Sequence, residues 1–253
     1  MFKRIQGFSL VELSIVLIII GLLISGMVAG LSLMQQSKLT GVIGEVAKYR
    51  LAISDFQARY FFLPGDLPNA TSYWSGGVTV DGNGDGSIFY NGLLANEGLR
   101  AWQHLSLSGI LPGKFSGFAT VPPHGADPTN SPTSAASGGL YALLDTGTIT
   151  DAGSLWPATL RNVIWLGATT TGNGVGSFPY TPLFTPGEAQ SIDGKIDDGI
   201  PKSGQVWGCT DWQCLDTGQG NDTGKTCINA KVYATDFKYA GCHLVFDIID
   251  ANR

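Results

Sequence analysis

The sequence predicts an α+β protein, with one long N-terminal helix laid against a loop-rich head built on an antiparallel β-sheet. Three observations carry this expectation. The stretch Leu13 to Ser37 has no charged side chain, and its apolar run of about 20 residues is long enough to cross a bilayer as a helix. Beyond it, Val42, Val46, Tyr49, Ile53, Phe56 and Tyr60 recur in steps of four and three, the spacing that keeps side chains on one helical face. Farther along, short apolar runs are bounded by Gly, Pro or Asp, as strands are by their turns.

At the N-terminus, Lys3 and Arg4 precede the apolar run and no acid occurs among the first eleven residues. The positive-inside bias therefore keeps the extreme N-terminus in the cytoplasm and sends the rest outward. The polar-to-apolar switch falls at Gly7. An ordinary secretory signal has a shorter apolar core, about 7 to 15 residues, followed by a small-residue cleavage site. Glu12 stands five residues into the hydrophobic run, where a carboxylate costs on the order of 2.5 to 3.5 kcal/mol or more. Such a residue marks a function and needs a partner.

The helical pattern continues past Ser37, so the helix that leaves the membrane also packs a stripe onto the head. Gly41 and Gly44 weaken it where it emerges, and Leu63-Pro64-Gly65 ends it. A helix from Phe8 to about Phe62 spans roughly 80 Å. Turn and loop chemistry follows at Gly76-Gly77, Asp81 to Gly86, Pro122-Pro123 and Asp127 to Gly139. A short helix is expected within Asn96 to Gly109. Strands are expected at Leu140 to Leu144, Asn162 to Leu166, Gln205 to Trp207, Ala230 to Tyr233 and His243 to Ile249. Tyr141, Trp165, Trp207 and Phe246 read as sheet and core packing.

Composition narrows the function classes. Only 14% of the 253 residues are charged, while Gly reaches 35 and Pro 12, which suits an exported, turn-rich fold. The net charge is -5, and loss of Lys3 and Arg4 with a leader would leave 13 basic against 20 acidic side chains, or -7. No basic patch points to nucleic acid. Cys209, Cys214, Cys227 and Cys242 lie in the last 45 residues and lack paired CxxC spacing. They read as two disulfides formed in an oxidising compartment rather than as zinc ligands. Of the three pairings, the nested one is favoured, Cys214 with Cys227 inside Cys209 with Cys242. His104, His124 and His243 fall in no metal or catalytic-triad spacing, and no phosphate-binding loop is present, so an enzyme is not expected.

The residues Lys3-Arg4-Ile5-Gln6-Gly7-Phe8-Ser9-Leu10-Val11-Glu12-Leu13 resemble the leader and mature start of type IV prepilins and type II secretion pseudopilins. The resemblance implies a pilin-like fold: residues 1–7 a cleaved cytoplasmic leader, 8–62 a helical spine that spans the membrane to about residue 34, and 63–253 a periplasmic or extracellular head. It implies cleavage between Gly7 and Phe8 and methylation of the new Phe8 amine by a prepilin peptidase that is also the N-methyltransferase. Glu12 takes the place of the family's glutamate, whose carboxylate neutralises that amine on a neighbouring subunit during helix packing. The partners implied are the peptidase, further copies and sister pilins, and an inner-membrane assembly platform driven by an ATPase. Before assembly the chain would sit in the bacterial inner membrane, and afterwards in a filament. Many prepilins carry a proline midway along the apolar helix; none is here, Ala29 lying near that place, so the helix should melt less readily on assembly. Leu63-Pro64-Gly65-Asp66 and Arg100-Ala101-Trp102-Gln103-His104-Leu105 are similar to a large-head subgroup. The alternative within this reading is a minor or tip pilin acting as an adhesin or a binding module for a secretion substrate.

Two acidic loops remain. Asp193-Gly194-Lys195-Ile196-Asp197-Asp198-Gly199 reads as a structural turn. Asp81, Asn83 and Asp85 repeat the D-x-[DN]-x-[DN]-G opening of a calcium loop, with Gly86 at the sharp turn. The twelfth position is Gly92 instead of a bidentate Glu, so a structural calcium would need a borrowed ligand such as Glu97. The alternative is a Gly-Asn-Asp turn without metal.

Overall fold

The computed structural model describes residues 9–90, 96–119, 125–148, 160–169, 178–210, 214, 226–229 and 231–248. Helix α1 runs unbroken from Leu10 to Tyr60, 51 residues. Ser9 caps it in an extended conformation, and Phe61 ends it in the left-handed region at φ 65°, its N–H donating to the Gln57 carbonyl at 2.8 Å. The terminator is thus Phe61 itself, two residues ahead of the expected Leu63-Pro64-Gly65. Gly41 does not interrupt the helix. A Cβ there would lie 2.7 Å from that of Ala135, so the glycine permits a loop of the head to approach the helix backbone.

Four strands form one antiparallel sheet in the order β1 (Gly139–Asp145), β2 (Asn162–Ala168), β6 (His243–Asp247), β3 (Val206–Cys209). Between β3 and β6 lies a small hairpin, β4 (Ile228–Asn229) with β5 (Val232–Tyr233). The sheet is buried on both faces. Tyr141, Leu143, Ile164, Leu166, Val206, Leu244 and Phe246 share one core with Val42, Val46, Tyr49, Ile53 and Phe56 of α1. Their neighbours Ala142, Leu144, Val163, Trp165, Trp207 and Val245 point the other way, into a second cluster that includes Tyr90, Phe178 and Tyr180. Burial on two faces explains why these strands read as continuous apolar runs with no alternating polar side. Together the long helix and the separate antiparallel sheet make an α+β architecture.

Two helices flank the sheet. Helix α3 (Glu97–Leu107) is capped by Asn96, whose Oδ1 accepts the Leu99 N–H at 2.9 Å. Helix α4 (Pro186–Ile196) overturns the expectation of a mere turn at Asp193, because its last turn contains Asp193 to Ile196. Thr185 and Glu188 close a reciprocal capping box around it, and Pro186 opens the first turn. A short turn of helix, α2 (Ala70–Tyr73), sits after the end of α1.

The cysteines pair as Cys209 with Cys214 and Cys227 with Cys242, which corrects the nested arrangement. The reason is strand parity. Cys209 lies opposite His243 in the β3–β6 ladder, so Cys242, one residue away, faces the opposite side of the sheet. Cys209 and Cys214 belong to the second cluster, whereas Cys227 and Cys242 belong to the core against α1. No bond between Cys209 and Cys242 is compatible with that pleat.

Candidate functional site

The expected cleavage and methylation residues Gly7 and Phe8 lie outside the described residues. Immediately after them, α1 begins with a capping box. Ser9 Oγ accepts the Val11 N–H at 3.2 Å and Glu12 Oε2 accepts the Ser9 N–H at 2.8 Å. The Ser9 carbonyl takes the Leu13 N–H at 3.1 Å, and Ser14 Oγ donates to the Val11 carbonyl at 2.8 Å. A carboxylate at this end of a helix gives an acceptor to an N–H that has no partner within the helix. Ser9 was not singled out by sequence reading, although the S-x-x-E pattern before an apolar run is the signal for such a box.

Among the described residues, nothing of the head covers the helix from Leu10 to Met34. Leu10 is 85% exposed and Leu22 69%. This is the segment long and apolar enough to cross a membrane. Where it ends, α4 meets it: Glu188 Oε1 accepts from Lys38 Nζ at 3.0 Å and from Gln35 Nε2 at 3.3 Å. Its other carboxylate oxygen, Oε2, accepts the Thr185 N–H at 2.9 Å. One carboxylate therefore caps α4 and clamps the spine at the end of its apolar run.

The 81–86 loop is organised around a carboxylate that sequence reading did not identify. Asp66 is fully buried; its Oδ1 accepts the N–H groups of Gly84 at 2.6 Å and Asp85 at 3.1 Å, and its Oδ2 that of Gly86 at 2.9 Å. Glu97, the residue proposed as a borrowed ligand, does reach the loop. Its two oxygens accept the N–H groups of Asn83 at 3.2 Å and Phe89 at 2.8 Å. Burial pushes the carboxyls of Asp66 and Glu97 above the ordinary range, against the pull of those N–H donors. The three expected calcium ligands are engaged separately. Asp81 accepts the Thr71 N–H at 2.8 Å and its hydroxyl at 3.1 Å, which holds its carboxyl low. Asn83 and Asp85 bond to each other, and Asp85 Oδ1 accepts the Ser87 N–H at 2.8 Å. The loop thus turns the N–H groups of Asn83, Gly84, Asp85 and Gly86 toward the carboxylates of Glu97 and Asp66.

At the end of α4 three carboxylates come together. Ligand oxygens of Asp193, Asp197 and Asp198 lie within 4.8 Å of one another. Asp193 accepts the Tyr233 hydroxyl at 2.7 Å and the Gly199 N–H at 3.2 Å. Burial, with added repulsion from Asp198 and Asp197, raises its carboxyl to about 7.

The polar side of α3 ties the first of these loops to the spine. Arg100 donates to the carbonyls of Asn96, Val80 and Asp81, and Gln103 Nε2 to those of Val78 and Ser116. His104 Nδ1 accepts the Gly65 N–H at 3.0 Å while Nε2 meets Thr79 Oγ1 at 3.1 Å. The ring stacks on Phe56 of α1 at 6.2 Å. Burial, reinforced by the Arg100 charge, lowers its pKa to about 4. His243, fully buried, stacks on Trp165 at 4.6 Å and burial lowers it to about 3. Both imidazoles are neutral packing groups.

Residues 2–28 match the prokaryotic N-terminal methylation motif, the prepilin-type signature of cleavage and methylation. No curated protein and no solved structure matches the chain. The chain therefore combines a prepilin-type N-terminus with an architecture of the pilin kind, a long apolar helix ahead of a separate antiparallel sheet.

Proposed function

We propose that the chain is a precursor whose mature form is a structural subunit of a type IV pilus or a type II secretion pseudopilus. The observation that carries this reading is the continuity of the methylation motif with α1. The motif covers residues 2–28, and the same helix carries an uncovered apolar first half and a second half built into the head. Cleavage between Gly7 and Phe8 frees an amine at the foot of that helix, and methylation modifies it. In the bilayer the apolar half holds the subunit; in a filament it packs against the same half of its neighbours. Glu12 pairs with the amine of an adjacent subunit, which sets the axial register of the stack, since an ion pair in a low-dielectric surrounding is strong and strongest at contact. The head supplies the outer surface. Peptidase, sister subunits and an inner-membrane platform are the partners this role needs.

Replacing Glu12 tests the role. Glu12→Ala is expected to be cleaved like wild type but to fall at least tenfold in sheared filament preparations, the scale of one lost ion pair of about 1.4 kcal/mol or more. Wild-type incorporation of Glu12→Ala would overturn the assembly role.

A further inference from the structure

The carboxylate that the assembly contact requires is already engaged inside its own helix. We propose that Ser9 is the positioning residue for Glu12: their capping box holds the carboxylate at the foot of the helix with Oε2 on the Ser9 N–H, and on assembly Oε1 receives the amine of a neighbouring subunit while the box stays closed. This rests on the assembly role proposed above.

The geometry is reciprocal. Glu12 Oε2 accepts the Ser9 N–H at 2.8 Å, and Ser9 Oγ accepts the Val11 N–H at 3.2 Å. The second bond fixes the Ser9 peptide, so that its N–H stays aimed at the carboxylate. The flanking side chains are open, Leu10 at 85% and Val11 at 65% exposure, and no described residue of the head bonds to Glu12. In an apolar surrounding a carboxylate without donors is expensive. The box supplies a donor from the chain itself, and it does so at the end of the helix where a neighbour's amine must arrive. Because the box persists, the carboxylate is already aimed when the amine arrives, and the filament gains an ion pair without giving up the hydrogen bond. Without the Ser9 hydroxyl the Ser9 N–H turns away more often, the Glu12 side chain leaves its rotamer, and fewer encounters with a neighbour are productive.

The test is a double-substitution cycle in the full-length protein, read as leader cleavage and as the processed fraction in sheared filaments. Ser9→Ala is expected to leave cleavage unchanged and to lower the filament fraction about five-fold, the factor an ordinary N-cap represents. Ser9→Thr, which keeps the hydroxyl, should assemble like wild type. Glu12→Gln keeps a side chain able to close the box but loses the charge. If Ser9 acts through Glu12, Ser9→Ala with Glu12→Gln is no worse than Glu12→Gln alone. Wild-type assembly of Ser9→Ala, or a defect that multiplies with that of Glu12→Gln, overturns the proposal. A failure of the assembly role itself shows differently, as normal incorporation of Glu12→Gln. The box is then still decided by amide exchange in processed monomer in micelles: faster exchange at Ser9 in Glu12→Ala supports it, and unchanged exchange rejects it.

Discussion

The two halves of α1 share one backbone and one register, yet they answer to different solvents. From Leu10 to Met34 apolar side chains cover the whole circumference and lie exposed. From Leu39 to Phe56 they narrow to a stripe in which Val42 and Phe56 are fully buried by the chain's own sheet and helices. An all-round apolar helix has no preferred face, so lipid or other helices of its kind can surround it; a striped helix has one face and one partner. The boundary is marked by Gln35 and Lys38, held on Glu188. The difference teaches that head stability and membrane behaviour are separable properties of a single helix.

The sharpest way to break that comparison is a pair of truncations. Phe56→Ala should cost the folded head about 3 to 5 kcal/mol, as for other buried aromatic truncations, seen in denaturant unfolding of the protein in detergent. Leu22→Ala, in the exposed half, should leave the same unfolding transition in place. A similar loss from both would show that the head does not fold on the upper half alone.

The next effect comes from the disulfide on the spine-facing side of the sheet. Cys227 and Cys242 close 15 residues, and their joint replacement by Ser should cost about 2 to 4 kcal/mol. Non-reducing peptide mapping of the wild type should recover Cys209 with Cys214 and Cys227 with Cys242. Recovery of Cys209 with Cys242 would contradict the strand parity described above.

Acid separates the halves again. His104, stacked on Phe56 in the upper half, has a folded pKa of about 4 against an ordinary 6.5. Between those values the unfolded chain binds a proton that the native ring refuses, so its stabilisation is complete above pH 6.5. It is lost as pH falls toward 4, by up to about 3 kcal/mol. Asp193 has the opposite sign. Its folded pKa of about 7 lies above an ordinary 3.8, so its contribution fades as pH rises between those values. Melting curves at pH 4.5 and 7.5 should show a loss at low pH that His104→Gln reduces, and a gain at high pH on Asp193→Asn. Absence of both changes would mean that neither group titrates with folding.

Calcium is expected to give the smallest effect. Even at tenfold excess over a weak extracellular affinity, binding adds about 1.4 kcal/mol. In the 81–86 loop, Asp81 must first leave Thr71 and the Asn83–Asp85 pair must open. A small rise in melting temperature with millimolar calcium, abolished by Asp81→Ala with Asp85→Ala, would place the ion there. Equal melting with calcium and with chelator would remove it.

The long helix was legible in the sequence because its signals are local: apolar length, then spacing, then loss of periodicity. The sheet strands were legible for the same reason, as apolar runs between turn residues. Helix α4 was missed because Pro186, Gly187 and the later Gly194 resemble loop chemistry, although Thr185 and Glu188 carried the capping pattern. The disulfides and the role of Asp66 could not be read locally. Each depends on which face of a strand, or which distant N–H group, the finished fold presents. At the candidate site Glu12 stood out because a charge in an apolar run is conspicuous, whereas Ser9 is an ordinary residue until its hydroxyl is seen holding the Val11 N–H.

The Glu188 clamp has a further consequence for orientation. The buried stripe from Leu39 to Phe56 seats the head on α1, and one carboxylate adds bonds to two side chains a helical turn apart, Gln35 and Lys38, at its foot, so the facing of the head is tied to the helix. Azimuth is therefore transmitted: whatever rotation the lower half adopts among its neighbours is carried along the unbroken helix into the direction the sheet faces. In a stack of such helices, the compass bearing of each head would be dictated from below, as a weathervane's is by its spindle.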